Sequence, residues 1–157
     1  MTTQRLIDEL TAAREDLLEV LGRVSPASLT TSGLVGDWSG RELIAHVGYW
    51  AGNAVEVIHA VEEGRAQEVG EERPPTDEVN ETVARVARET DLATVRKRET
   101  ATIEVLVERL RRLEPSLLDA ELPDGGTLGE SITEDGADHY REHAADLRRT
   151  LSEGARG

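Results

Sequence analysis

The stretch Trp38-Ser-Gly-Arg-Glu-Leu-Ile-Ala-His46-Val-Gly-Tyr-Trp50 combines a helix start signal with an amphipathic pattern. Ser39 and Glu42 stand three residues apart, the spacing of a capping box, in which each side chain bonds the backbone N–H of the other residue. We therefore expect a helix that begins at Ser39 and continues to about Glu63. At about 100° per residue, His46 lies at the margin of the apolar face of this helix.

A second histidine-bearing stretch is Asp138-His-Tyr-Arg-Glu-His143-Ala-Ala-Asp-Leu147. In a helix, His139 and His143 share one face, with Cβ atoms about 5–6 Å apart. A helix can offer two imidazole nitrogens to one divalent metal at this spacing. Together with His46 from a facing helix, the pair would make a three-nitrogen site with a free position for water or substrate, as in catalytic zinc sites.

Two further segments show apolar residues at intervals of three and four, which is typical of helices. The first covers Thr3 to about Val24 and is ended by Gly22 and Ser25-Pro26. The second covers residues 76–113, which would form a rod about 57 Å long if unbroken. We expect a break at Thr90-Asp91, because both are capping residue types that precede a fresh helical run.

The last helix is predicted from Ser131, which has the capping-box spacing with Glu134, to about Leu151. A frayed tail is expected from residue 152 to 157. Gly and Pro residues mark residues 29–37, 64–75 and 114–129 as loops. The sequence therefore predicts an all-α fold with a single domain over residues 1–157, an antiparallel four-helix bundle with long crossover loops and a broken third helix.

Composition limits the classes of partner. The net charge of -14 opposes close approach to phosphate backbones and anionic lipid, so we expect neither nucleic acid nor a membrane surface as a partner. The chain has no cysteine, and a reacting thiol would have to come from a cofactor. No stretch approaches the about 18 apolar residues of a membrane span, and no secretory signal is visible, so a cytoplasmic location is expected.

Other residues near the histidines have two interpretations each. Trp50 and Asn53 follow His46 on nearly the same face and would line a pocket, or else serve as core packing and a satisfied buried amide. Asp135 and Asp146 lie at the edge of the His139 face. Each could accept the second ring N–H of a ligating histidine, or be an ordinary surface acid.

Two charged features are predicted to lie away from the site. His59 is about 220° round the helix from His46 and nearly 20 Å along it, among glutamates, so it is interpreted as a solvated histidine. The cluster Arg96-Lys97-Arg98 is interpreted as a solvated face. Its alternative role is attraction of the carboxylates of a substrate or cofactor.

Taken together, the two histidine-bearing stretches resemble the DinB-like (DinB/YfiT-like) superfamily of metalloenzymes. Its blocks Trp-Ser-x-x-Glu-Leu-x-Ala-His and His-x-x-x-His correspond to residues 38–46 and 139–143, and the resemblance spans nearly the whole chain. It implies a four-helix bundle whose three histidines bind a divalent metal, with zinc favoured and nickel the alternative. The implied ligands are His46, His139 and His143, in agreement with the facing of the predicted helices.

Family members with known activity include thiol-dependent transferases and isomerases that use mycothiol or bacillithiol, among them mycothiol-dependent maleylpyruvate isomerase. The resemblance therefore implies a metal-dependent enzyme that acts on a small electrophilic molecule, with mycothiol as a candidate co-substrate and a homodimer as a candidate assembly. We expect the chain to lack the additional C-terminal domain of that isomerase, so the isomerase substrate is not carried over.

Two other functions stay open from the sequence. The same bundle could bind or sequester a metal or small ligand without turnover, as a resistance protein does, because no general acid or base stands out. A helical scaffold with incidental histidines is the third possibility. Three inward histidines are costly unless their polar atoms are satisfied, which argues against the scaffold.

Overall fold

A computed structural model describes residues 1–154 of the chain. Over this range the helices are α1 (Thr3–Leu21), α2 (Gly40–Glu62), α3 (Thr76–Arg88), α4 (Leu92–Arg112), α5 (Leu128–Thr133) and α6 (His139–Gly154). A π-helical turn, Glu134–Asp138, joins α5 to α6 without a break. The same residues contain isolated β-bridges but no strand. The prediction of an all-α bundle is therefore confirmed.

Two predicted helix starts are confirmed by their caps. Ser39 begins α2 with the complete capping box that its spacing to Glu42 indicates. Asp91 begins α4, and its carboxylate accepts a hydrogen bond from the backbone N–H of Thr94 at 2.9 Å. The break between α3 and α4 thus lies at Thr90-Asp91, as predicted.

The capping box predicted at Ser131 and Glu134 is wrong. Thr127 caps α5 instead, and the backbone N–H of Thr127 donates to the carboxylate of Glu130 at 2.8 Å. Thr127–Glu130 and Ser131–Glu134 both have the Ser/Thr-x-x-Glu spacing of a capping box. The earlier start prevails because it places Leu128, which is completely buried, in a helical turn against the core.

The helix ends differ from the predictions by a few residues. The first helix ends at Leu21 rather than near Val24. The last helix continues to Gly154, so the structure describes residues 152–154 of the predicted frayed tail as helical, and residues 155–157 lie outside the described range. Leu151 packs against the core and holds this last turn in place.

Helix α2 lies at the centre of the bundle. It packs against α4 and α3 on one side and against α5, the π-helical turn and α6 on another, while α1 packs against α6 and α4. An aliphatic core fills the space between them, and its completely buried members include Ile58, Leu106, Leu110 and Leu147. No helix among the described residues is long and apolar enough to cross a membrane. This arrangement turns His46 on α2 toward the histidines of α6.

Candidate metal centre

Three histidines from two helices meet inside the bundle. The ring centroid of His46 lies 5.1 Å from that of His139 and 5.0 Å from that of His143, and the two α6 rings are 5.7 Å apart. One nitrogen from each ring lies within 4.8 Å of the nitrogens of the other two. The structure therefore brings together all three residues that the sequence singled out as candidate ligands.

The π-helical turn directly before His139 helps to set the direction of the α6 histidines. A π-turn places one additional residue in a helical turn, so the residues before it are rotated relative to a continuous α-helix. Gly136 and Ala137 within this turn are buried, and an ideal Cβ built on Gly136 would lie 3.3 Å from Leu10 of α1. Packing against α1 thus accompanies the rotation that presents His139 and His143 to α2.

His46 and His143 sit in an environment that disfavours their protonated form. Burial, together with the neighbouring His143 and His139, lowers the pKa of His46 to about 3. Burial also lowers the pKa of His143, with a further contribution from His139. Neutral imidazole is the form that binds metals, because its nitrogen lone pair is free.

The polar atoms of these rings are not all satisfied by the protein. The Nδ1 atoms of His46, His139 and His143 are buried, and none has a hydrogen-bond partner within residues 1–154. Asp146 approaches the Nδ1 atom of His143 to 3.4 Å, an ion-pair distance without hydrogen-bond geometry. Unpaired buried nitrogens are costly, and three neutral nitrogen donors suit a divalent ion such as zinc. The residues present therefore fit a bound metal.

His139 also lines a cavity of about 890 Å³ that is bordered by α2, the 64–75 connection and the π-helical turn. The Trp50 side chain forms part of its wall, with its ring centroid 6.0 Å from that of His139. The Trp50 indole N–H donates to the Oδ1 atom of Asn80 at 2.9 Å, which fixes the ring. Trp50 is thus both a buried core residue and a cavity-lining residue.

Asn53 and Asp135 are joined by a hydrogen bond in the wall of the same cavity. The amide of Asn53 donates to the carboxylate of Asp135 at 2.8 Å. Burial raises the pKa of Asp135, and the hydrogen bond from Asn53 partly offsets this. The hydrogen-bond partner of Asp135 is therefore an amide of α2 rather than a histidine ring. Arg73 lies over the Trp50 ring, with its guanidinium carbon 5.3 Å from the ring centroid.

The remaining charged candidates lie elsewhere. The His59 side chain is 43% exposed and its Nε2 atom is 3.1 Å from Glu63, so it lies outside the histidine cluster, as predicted. Arg96, Lys97 and Arg98 are exposed on α4.

Sequence reasoning missed two features around the histidines. The Trp38 ring lies next to the ring of His46, with the two ring centroids 4.7 Å apart. Glu99 is only 4% exposed and accepts hydrogen bonds from Arg14 and Tyr140. A signal for Glu99 was present, because it lies four residues after Val95 and four before Ile103, on the apolar stripe of α4.

Comparison with known proteins gives a family and a fold. A family model described as the DinB superfamily matches residues 9–150. No protein with a curated description matches the chain significantly.

Among solved structures, an uncharacterised protein from Escherichia coli UTI89 matches with a TM-score of 0.79 and 14% identity, covering 98% of this chain and 95% of that chain. The colibactin self-resistance protein ClbS, in complex with a dsDNA, matches with a TM-score of 0.77 and 17% identity, over 96% of this chain and 95% of that chain. The mycothiol-dependent maleylpyruvate isomerase matches with a TM-score of 0.74 and 18% identity, over 94% of this chain and 61% of that chain. At these identities the likeness shows the fold alone.

Proposed function

Because the chain belongs to the DinB superfamily, we propose that it is a divalent-metal-dependent enzyme that acts on a small electrophilic molecule. His46, His139 and His143 are the proposed metal ligands, zinc is the favoured metal, and nickel is the alternative. The observation that carries the proposal is the convergence of three imidazole nitrogens within 4.8 Å of one another, one of them from a residue in the wall of a cavity of about 890 Å³.

The proposed reaction is a thiol-dependent transfer or isomerisation, with mycothiol or a similar thiol as co-substrate. A divalent ion held by three neutral imidazoles keeps its charge and lowers the pKa of a bound thiol or water, which supplies a nucleophile near neutral pH. The chain has no cysteine of its own, so the thiol must come from outside. The likeness in fold to the mycothiol-dependent maleylpyruvate isomerase supports a thiol of this class.

The chain's own residues would bind and orient the substrate. Trp50, fixed by Asn80, forms a rigid apolar wall 6.0 Å from the His139 ring. The hydrogen bond between Asn53 and Asp135 closes the α2 side of the cavity. A cavity of about 890 Å³ is in the range that drug-sized ligands occupy.

The metal site is tested by elemental analysis of untagged protein, followed by metal titration of the wild type, His139→Ala and His59→Ala. We expect one ion per chain in the wild type and in His59→Ala, because His59 lies on the surface away from the cluster. We expect His139→Ala to lose at least about 10-fold in affinity, since it removes one of three ligands. Unchanged binding in His139→Ala would rule out the proposed ligand set.

Binding without turnover is the second candidate function. The likeness in fold to the colibactin self-resistance protein ClbS, over 95% of that chain, supports a resistance role, which sequestration of a ligand could fulfil. Assays with mycothiol and a panel of electrophiles, with and without added metal, separate the two functions. Product formed in excess over protein supports the enzyme, and saturation at one ligand per chain supports sequestration.

A further inference from the structure

A hydrogen-bond network centred on Glu99 of α4 joins α1 to α6, the helix that bears His139 and His143. The carboxylate of Glu99 accepts hydrogen bonds from Arg14 of α1, at 2.7 Å from Nε and 2.8 Å from Nη2. It also accepts one from the hydroxyl of Tyr140 of α6 at 2.7 Å. Burial and the adjacent Glu99 raise the pKa of Tyr140, so its hydroxyl remains a donor.

Glu99 lies close to residues that stand near His139 in α6 and near His46 in α2. Tyr140, which it holds by a hydrogen bond, directly follows His139 in the chain. Gly48 of α2 stands two residues after His46, and an ideal Cβ built on it would lie 3.3 Å from the Cβ and Cγ atoms of Glu99. One side chain of α4 therefore bonds α6 next to His139 and packs closely against α2 near His46.

Fold stability alone does not require this network. Removing an ion pair from water is costly, and apolar residues of similar volume often stabilise a core equally well or better. The bonds to Glu99, which is buried while Arg14 is part-buried, favour one geometry, because hydrogen bonds tolerate less displacement than aliphatic contacts do. This geometric specificity matters for α6, because the π-helical turn before His139 interrupts the regular α-helical register.

The structure assigns Glu99 and Tyr140 as positioning residues that set the spacing between His46 and the His139–His143 pair. The assignment deepens the proposed function, since the spacing matters most if the histidines bind one ion. The arrangement of the rings also exists without an ion and is measurable there. Contacts between protons of rings whose centroids are 5.1 and 5.0 Å apart are accessible to NMR.

The test compares Tyr140→Phe and Glu99→Gln with Leu110→Ala, all in the full chain. Tyr140→Phe removes one hydroxyl and keeps the ring, and Glu99→Gln keeps the volume but sets an amide against the Arg14 donors. Leu110 is completely buried in α4 and lies about 16 Å along the helix from Glu99, so Leu110→Ala reports the effect of lost stability.

The first readout is the set of ring-to-ring NOEs from His46 to His139 and His143 in metal-free protein, well below the unfolding temperature. We expect these NOEs to weaken or disappear in both network variants and to remain in Leu110→Ala. NOEs that persist unchanged in Tyr140→Phe and Glu99→Gln would overturn the positioning role.

The second readout is cobalt binding, measured by visible absorption, with zinc competition. We expect an affinity loss on the order of 10-fold and an altered cobalt spectrum in Tyr140→Phe, with both unchanged in Leu110→Ala. If the wild type binds no cobalt or zinc but the NOEs still depend on Tyr140, the proposed function fails and the positioning role stands. If metal binds equally well in all variants and the NOEs do not change, the positioning role fails and the metal site stands.

Discussion

His46 is 5% exposed and lies beside two other histidines, so its protonation is opposed both by burial and by its neighbours. An isolated histidine in such a place would gain little from being there, because its buried nitrogen would lack a partner. The convergence of His46 with His139 and His143 offsets this cost only if a further group, such as a metal ion, binds the ring nitrogens. The residue chemistry is therefore consistent with the proposed metal site.

The depressed pKa of His46 predicts how metal-free protein responds to acid. The folded pKa of about 3 lies below the unfolded value of about 6.5, so the unfolded state binds more protons at intermediate pH. The stabilising contribution is complete above about pH 6.5 and is lost as the pH falls toward 3. Between pH 6.5 and 5 we expect the free energy of unfolding to drop by about 2 kcal/mol from His46, as measured by urea denaturation.

His46→Asn is the control for this experiment, because asparagine does not titrate. Its pH slope over the same interval should be smaller than that of the wild type. The interval lies above the usual pKa range of most carboxylates, which limits their contribution. Equal slopes in the two proteins would mean that His46 binds protons equally in the folded and unfolded states, so that burial does not depress its pKa.

At the scale of single elements, the interior of α2 contains two glycines, Gly48 and Gly52, with different surroundings. A Cβ on Gly52 would lie 3.6 Å from the Thr102 methyl group, an ordinary contact. A Cβ on Gly48 would lie 3.3–3.4 Å from three atoms of Glu99, whose side chain is held by three hydrogen bonds. The two positions therefore form a matched pair.

We predict that Gly52→Ala raises the free energy of unfolding by about 0.5–1 kcal/mol, because alanine restricts the unfolded chain and favours the helix. Gly48→Ala should lower it by about 1–2 kcal/mol, since the overpacking outweighs that gain. Chemical denaturation of both variants measures the difference. Stabilisation of both would show that Glu99 moves freely, and would weaken its assignment as a positioning residue.

The start of the last helical segment gives a second prediction at this scale. Thr127→Ala removes the cap that accepts from the Glu130 N–H, and should cost about 1 kcal/mol of stability. Ser131 lies inside α5, so Ser131→Ala should change the stability by less than about 0.5 kcal/mol. Thermal unfolding of the two variants distinguishes the starts, and a larger loss in Ser131→Ala would favour the start that the structure contradicts.

At the scale of the whole molecule, 32 acidic and 18 basic residues give the net charge of -14. Such a charge repels the phosphate backbone at long range. A structural neighbour of this chain was crystallised with dsDNA, but the likeness between them extends to the fold alone. The absence of nucleic acid as a partner therefore stays a prediction that needs a direct test.

We expect no binding of a fluorescently labelled DNA duplex by anisotropy, either at low salt or at physiological salt. Electrostatic binding to DNA weakens steeply as salt rises. An anisotropy increase at low salt that disappears at higher salt would contradict the prediction, and would point to a locally basic surface. The metal-loaded protein serves as the second sample, because a bound divalent ion changes the charge near the cavity.

The sequence by itself determined the features that depend on local chemistry. Capping residues at Ser39 and Asp91 fixed where α2 and α4 begin, because these bonds form within one helical turn. Apolar spacing fixed the all-α class, and the four-residue spacing of His139 and His143 placed both on one face.

Only the tertiary structure decided the features that depend on distant residues. The choice of Thr127 over Ser131 as a cap, the π-helical turn at Glu134–Asp138 and the burial of Glu99 against Arg14 and Tyr140 all follow from packing between helices. Each satisfies a polar group or fills a space that a neighbouring helix creates. The apolar pattern of one helix holds no information about the helix that packs against it. Periodicity therefore predicted which face of a helix turns inward, but not which side chains that face contacts.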